Sequence, residues 1–154
     1  MPSELRLQPI GSVRQDGPGA RLLLEEAFRP ALRELDRFSH ILVLWWASGH
    51  DDPESRSILQ TELPYAPGTT AGVFACRAEY RPNPIAVSVC PLTSVDEASG
   101  EVGVGAIDAF DGSPLLDIKP YIGVVDRVAD VVVPDWFDGW PEWLPEEGIG
   151  LSED

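Results

Sequence analysis

A chain of 154 residues with a formal net charge of -15 is long enough for one self-sufficient domain, and it lacks the clustered cations that broad phosphate-backbone binding needs. Its longest uninterrupted apolar run, Ile41 to Ala47, is far too short to cross a bilayer. No basic stretch followed by an apolar one opens the chain, so no secretory signal is read and a cytoplasmic location is expected.

In chain order, the stretch from Leu5 to Val13 alternates loosely and predicts a first strand, with Pro9 marking an edge or bulge. Asp16-Gly-Pro-Gly is a turn, and Arg21 to Glu25 a second strand. Apolar residues at 28, 32, 35 and 38 fall on one helical face, with Pro30 in its first turn, which predicts a short helix over 28–38. His40 to Ala47 is apolar throughout and predicts a strand buried on both faces. A charged loop follows from Gly49 to Ser55, then a strand over Ser57 to Leu63, a Pro/Gly loop over Pro64 to Thr70, and a short strand over Gly72 to Cys76. Ile85 to Leu92 and Val102 to Ile107 are further strands, Asp111-Gly112 is a turn, and Leu115 to Ile118 is extended. Val128 to Val133 is the last strand candidate.

Many short strands and one helix predict a mainly β protein: a single small β-barrel over residues 1–134. The remaining residues, 135–154, form an irregular, acidic C-terminal tail whose tryptophans pack on the barrel; the alternatives are a lid or a dimer arm. Cys76 and Cys90 read as reduced core thiols. With two histidines and two cysteines no metal site is expected, and His40 reads as structural. Gly103-Val-Gly105 lacks the third glycine and the following helix of a dinucleotide loop.

Chemistry concentrates between Arg77 and Tyr121. Prolines at 82, 84, 114 and 120 flank apolar runs there, and beside them stand Asp108, Asp111, Asp117 and Lys119, the only lysine of the chain. Asp117 and Lys119 share one face of an extended segment, which reads equally as a surface ion pair or as part of a site.

Phe38-Ser-His-Ile, Val73-Phe-Ala-Cys-Arg, Arg81-Pro-Asn-Pro-Ile and Asp111-Gly-Ser-Pro-Leu-Leu-Asp-Ile-Lys-Pro-Tyr together resemble the signature blocks of the TrmO (YaeB, TsaA-like) family, in order and spacing from about Pro9 to Asp126. The resemblance implies a homodimeric, S-adenosylmethionine-dependent methyltransferase built on a small β-barrel, with its cofactor near the subunit interface. It implies a tRNA substrate, methylated on N6 of N6-threonylcarbamoyladenosine. By the same resemblance Arg77, Val87, Asp108, Ala109, Phe110 and Asp111 are expected to contact the cofactor, as are Ser48 and Gly49, which stand where the family has a polar pair, one step before His50. The family's Pro-x-Gln loop is mostly missing, with Gln15 or Pro18 as its stand-in. Arg81, Asn83 and Lys119 are expected to touch the substrate; Asp111, Tyr121 and Lys119 are the catalytic candidates. The short chain and its acidity keep two alternatives open: a methyltransferase of the same fold acting on a small molecule, and a non-catalytic module that binds S-adenosylmethionine.

Overall fold

A computed structural model describes residues 3–148. Strands β1 (Gly11–Arg14), β2 (Ala20–Leu24), β3 (His40–Trp46), β6 (Ile85–Asp96), β7 (Glu101–Val104) and β8 (Pro114–Pro120) close an antiparallel barrel in the order β1-β2-β7-β6-β3-β8. Strands β4 (Gln60–Glu62) and β5 (Thr70–Gly72) form a separate two-stranded sheet. Alternation along each strand sends one set of side chains inward. Val13, Leu22, Leu24, Ile41, Val43, Trp45, Cys90, Val102 and Leu115 make the core.

Strand β3 pairs with β6 along its whole length and with β8 on its other side, so it is the central stave of the barrel. Opposite β3, β8 carries an extra residue where the register shifts between Leu44 and Trp45. The bulge inverts the parity of β8, so that Ile118 faces inward beside Val43 and Leu115 still faces inward beside Trp45. Three loops leave the end of the barrel reached by β1, β3 and β7: residues 15–19, 47–84 and 105–113. The opposite end carries the loops 25–39 and 97–100 and the chain beyond β8.

Five expectations are corrected. The helix over 28–38 is two 3-10 turns, Glu26–Leu32 and Leu35–Arg37. Pro30 lies inside the first, and Glu34 adopts a left-handed φ of 74° between them, which ends the helical path. The α-helices are single turns, α1 (Pro53–Arg56) and α2 (Gly123–Asp126). Strand β3 is buried on its inward face only, because its outward residues Leu42, Leu44 and Trp46 keep partial exposure. Val128 to Val133 is not a strand: the closed barrel offers no edge to pair with, and these valines stand exposed. The segment from Gly72 to Cys76 leaves its strand at Gly72 and turns through Val73–Ala75, which puts Cys76 in a loop. The first strand begins only at Gly11, with Leu5 and Leu7 exposed.

Aromatic residues of the tail pack on Tyr65 of the β4–β5 loop. Phe137 and Trp140 lie 5.6 and 5.5 Å from the Tyr65 ring, and 4.9 Å from each other edge to face. Residues 149–154 of the expected tail lie outside the described residues.

Both cysteines are free. Burial, and then the nearby charge of Asp108, pushes the Cys90 thiol up to about 12. A thiolate-directed reagent at pH 8 is therefore expected to titrate one thiol, Cys76, in the native protein and the second only after denaturation. Two fast native thiols would contradict this burial.

Candidate functional site

The loop from Asp108 to Ser113 connects β7 to β8 and is tied to the rim of the barrel. Gly112 has a φ of 86°, the left-handed turn conformation that glycine reaches without strain. Its N–H donates to the Val13 carbonyl at 2.8 Å, and the Val13 N–H donates to the Ser113 carbonyl at 2.9 Å. Buried Ser113 closes the turn by donating its hydroxyl to the Phe110 carbonyl at 2.8 Å. These bonds hold the Asp111 carboxylate and the exposed Phe110 ring at the rim.

Gln15 fastens the same loop from the other side. Its backbone N–H donates to Asp111 Oδ1 at 2.8 Å, and its side-chain amide donates to the carbonyls of Ile107 at 2.9 Å and Ala109 at 2.5 Å. Of the two residues considered in place of the missing Pro-x-Gln loop, Gln15 is the one with these contacts.

Asp108 is fixed from inside the barrel. The indole N–H of buried Trp45 donates to Ser88 Oγ at 3.0 Å, and the Ser88 hydroxyl donates onward to Asp108 Oδ1 at 2.6 Å. Tryptophan can only donate, so the direction of this chain is settled by chemistry. Substituting Ser88→Ala removes both bonds and leaves the Trp45 N–H unpaired. A loss of about 1–3 kcal/mol in unfolding free energy is expected by urea titration, and unchanged stability would show that the bonds contribute nothing.

A cleft of about 270 Å³ opens between this loop and the turn that follows β3. Trp45, Ala47, Ser48, Gly49, Phe110 and Asp111 line it, joined by His50, Glu79, Gly112 and Ser113. His50 Nε2 lies 3.3 Å from a Glu79 carboxylate oxygen, and the His50 ring meets the Tyr80 ring edge-on at 6.0 Å. Sequence reading passed over Glu79 and set His50 aside as a near miss. The signal available was a histidine directly after the expected polar pair.

Four of the expected contact residues, Ser48, Gly49, Phe110 and Asp111, thus meet in one cleft, with Asp108 and Ala109 on the loop that bounds it. The other expected residues lie elsewhere in the chain. Val87 pairs with Leu44 and faces outward from the barrel. Arg77 is exposed in the loop after the Val73–Ala75 turn. Arg81 spends one guanidinium nitrogen on the carbonyls of Cys76 and Ala78, at 3.0 and 2.9 Å. Asn83 accepts from Arg56 at 3.0 Å; Arg56 also donates to the Pro82 carbonyl and lies over the Trp46 ring. Arg81 and Arg56 thereby hold the proline-rich loop in shape. Lys119 forms an exposed ion pair with Asp117 at 3.1 Å.

Tyr121 is not joined to Asp111 within one chain. Its backbone N–H donates to the carbonyl of His40, the first residue of β3, whereas Asp111 sits beyond the last. The length of β8 separates them, roughly 20 Å at about 3.3 Å per residue. The arginines of the 25–39 loop are engaged at the other end of the barrel: Arg33 pairs with Glu97, Arg37 with Glu34, and Arg29 donates to the carbonyls of Leu24 and Ala98. Among the described residues no cluster of His, Cys, Asp and Glu could hold a metal ion, and no helix is long and apolar enough to cross a membrane.

Residues 4–127 match the family model of the tRNA-methyltransferase O N-terminal domain. A probable S-adenosyl-L-methionine-binding protein of Methanothermobacter thermautotrophicus is 34% identical over 139 residues, covering 81% of this chain and 96% of that protein. The tRNA (adenine(37)-N6)-methyltransferase of Homo sapiens is 33% identical over 106 residues, 68% of this chain and 23% of that protein. The crystal structure of TrmO from Pseudomonas aeruginosa superposes with a TM-score of 0.66 at 30% identity, covering 86% of this chain. The chain spans only 61% of that solved neighbour.

Proposed function

The chain belongs to the family of the tRNA-methyltransferase O N-terminal domain, and from that membership we propose that it is an S-adenosylmethionine-dependent methyltransferase whose cofactor is held in the cleft between Ser48–His50 and Phe110–Ser113. The observation that carries the reading is the cleft itself. It gathers the Asp111 and Glu79 carboxylates, an exposed aromatic ring and small residues that let a ligand approach the backbone. These fit a cationic nucleoside: Asp111 for its ammonium or ribose hydroxyls, Phe110 as an apolar face for its base, and Asp108 as a further carboxylate on the bounding loop, held in place by Ser88. Exposed Arg77 is suited to a carboxylate by its guanidinium fork.

When bound, S-adenosylmethionine supplies an electrophilic methyl group on a sulfonium. The residues of the chain contribute orientation: displacement at such a carbon is in-line, so holding donor and acceptor in register supplies most of the rate. The proposed acceptor is N6 of N6-threonylcarbamoyladenosine in tRNA, whose urea-like neighbour makes the N–H easier to remove.

We further propose a homodimer. The cleft, at about 270 Å³, lies at the small end of the roughly 300–1,000 Å³ typical of small-molecule sites, which leaves room for a contribution from a second copy. The outward face of β3 and β6 offers an apolar surface in Leu44, Ile85 and Val87, and Val124, Val125 and Val132 stand exposed beyond β8. The cofactor position implied for outward-facing Val87 also fits a site shared between copies.

The test supplies methyl-labelled S-adenosylmethionine and tRNA carrying unmethylated N6-threonylcarbamoyladenosine, then digests the tRNA. Label on that nucleoside supports the reading. Cofactor binding without label would turn it toward a small-molecule acceptor or a binding role. Sedimentation equilibrium in the same buffer reads the dimer, and a monomer at micromolar concentration would remove it.

A further inference from the structure

We propose that His50 is the proton acceptor of the transfer, with Glu79 as the residue that positions it; the inference rests on methyl transfer taking place in this cleft. Three titratable side chains line the cleft: Asp111, Glu79 and His50. Asp111 Oδ1 accepts from the Gln15 N–H, so this carboxylate is engaged in anchoring its loop. Glu79 is committed to His50 at 3.3 Å. His50 remains, and an imidazole is the side chain that most often serves as a general base.

The dyad is built into its surroundings. The His50 backbone N–H donates to the Ala47 carbonyl at 2.9 Å, so the ring is carried on the tight turn that ends β3. Tyr80 faces the ring edge-on, and the Tyr80 hydroxyl is bonded to Thr61 Oγ1 of β4 at 2.8 Å. The Glu79 carboxylate lies 3.3 Å from Nε2, so its charge favours a proton on that nitrogen and leaves Nδ1 for the acceptor's proton. Both partners keep about a third of their side-chain surface open, at 39% and 30%, so they remain accessible from the cleft.

The balance of the step is simple. The acceptor N–H bond breaks and its proton moves to Nδ1 of His50. The electron pair left on nitrogen forms the new N–C bond to the methyl group. The electron pair of the methyl–sulfur bond stays on sulfur, which leaves as a neutral thioether. Glu79 offsets the charge of the imidazolium until the proton passes to water.

The test compares wild type, His50→Gln, His50→Ala and Glu79→Gln on the same modified tRNA, with S-adenosylhomocysteine affinity measured by calorimetry. His50→Gln is expected to lower kcat by about a hundredfold or more while thioether affinity stays within about threefold. Added imidazole is expected to restore part of the His50→Ala rate. Nitrogen-15 spectra of the imidazole should show the Nε2–H tautomer in wild type and a mixture in Glu79→Gln, a readout independent of turnover. An unchanged kcat in His50→Gln, beside an active wild type, would overturn the assignment of His50 alone. No transfer by wild type would instead overturn the reading of the cleft, and this inference with it.

Discussion

Replacing Asp111 with alanine is expected to weaken S-adenosylmethionine binding by about ten- to a hundredfold, the equivalent of one lost charge-assisted hydrogen bond. Asp111 Oδ1 already accepts from the Gln15 N–H, so the carboxylate is held in place before any ligand arrives. Asp111→Asn separates the two roles of this side chain. Asparagine keeps an acceptor for Gln15 and keeps the turn over Gly112, but it removes the negative charge. If charge toward a cationic ligand dominates, the asparagine variant loses nearly as much affinity as the alanine variant. If anchoring of the loop dominates, asparagine restores binding. Calorimetry with the cofactor alone reads both, and unchanged affinity in both variants would remove Asp111 from the binding site.

The second large effect belongs to the barrel. Ile41→Ala empties a fully buried position on the central strand, where Ile41 sits opposite Cys90 on β6 and Pro120 on β8. Removing a buried isoleucine side chain typically costs about 2–5 kcal/mol, a large share of the roughly 5–15 kcal/mol that holds such a domain together. Urea unfolding should show a lower midpoint with the slope preserved. The neighbouring Leu42→Ala points outward, so in the isolated barrel it should cost far less. Equal losses at both positions would mean that the outer face is buried as well, as it would be in a tight dimer.

This contrast between Ile41 and Leu42 marks where sequence reading reached its limit. The run from Ile41 to Ala47 is apolar at every position, so it carried no phase, and it read as a strand buried on both faces. The barrel supplies the phase. Only one face of β3 meets the core, and the other is left for solvent or for a partner. The helix over 28–38 failed for a similar reason. Four apolar residues at helical spacing suit two 3-10 turns as well as one helix, and packing of Leu32 and Leu35 into the core decided between them.

Turn chemistry and motif blocks were legible because they are local. The Asp111-Gly112 turn, the proline-framed loop before β6 and the many short strands of a mainly β chain all follow from residues close in sequence, and the four blocks placed the chain in its family. The resemblance also brought Ser48, Gly49, Phe110 and Asp111 forward as candidates, and the fold gathers these four in one cleft.

Only the tertiary structure decided which side chains complete that cleft. Gln15 reaches Asp111 across 96 residues, Ser88 reaches Asp108 across 20, and His50 finds Glu79 on a loop that returns to the rim through β4 and β5. The same closure carried Tyr121 to the far end of β8, away from the aspartate it seemed to neighbour in sequence. A strand advances about 3.3 Å per residue in a straight line, so ten residues of sequence can span the barrel. Strand pairing, in turn, places residues nearly a hundred positions apart within one hydrogen bond.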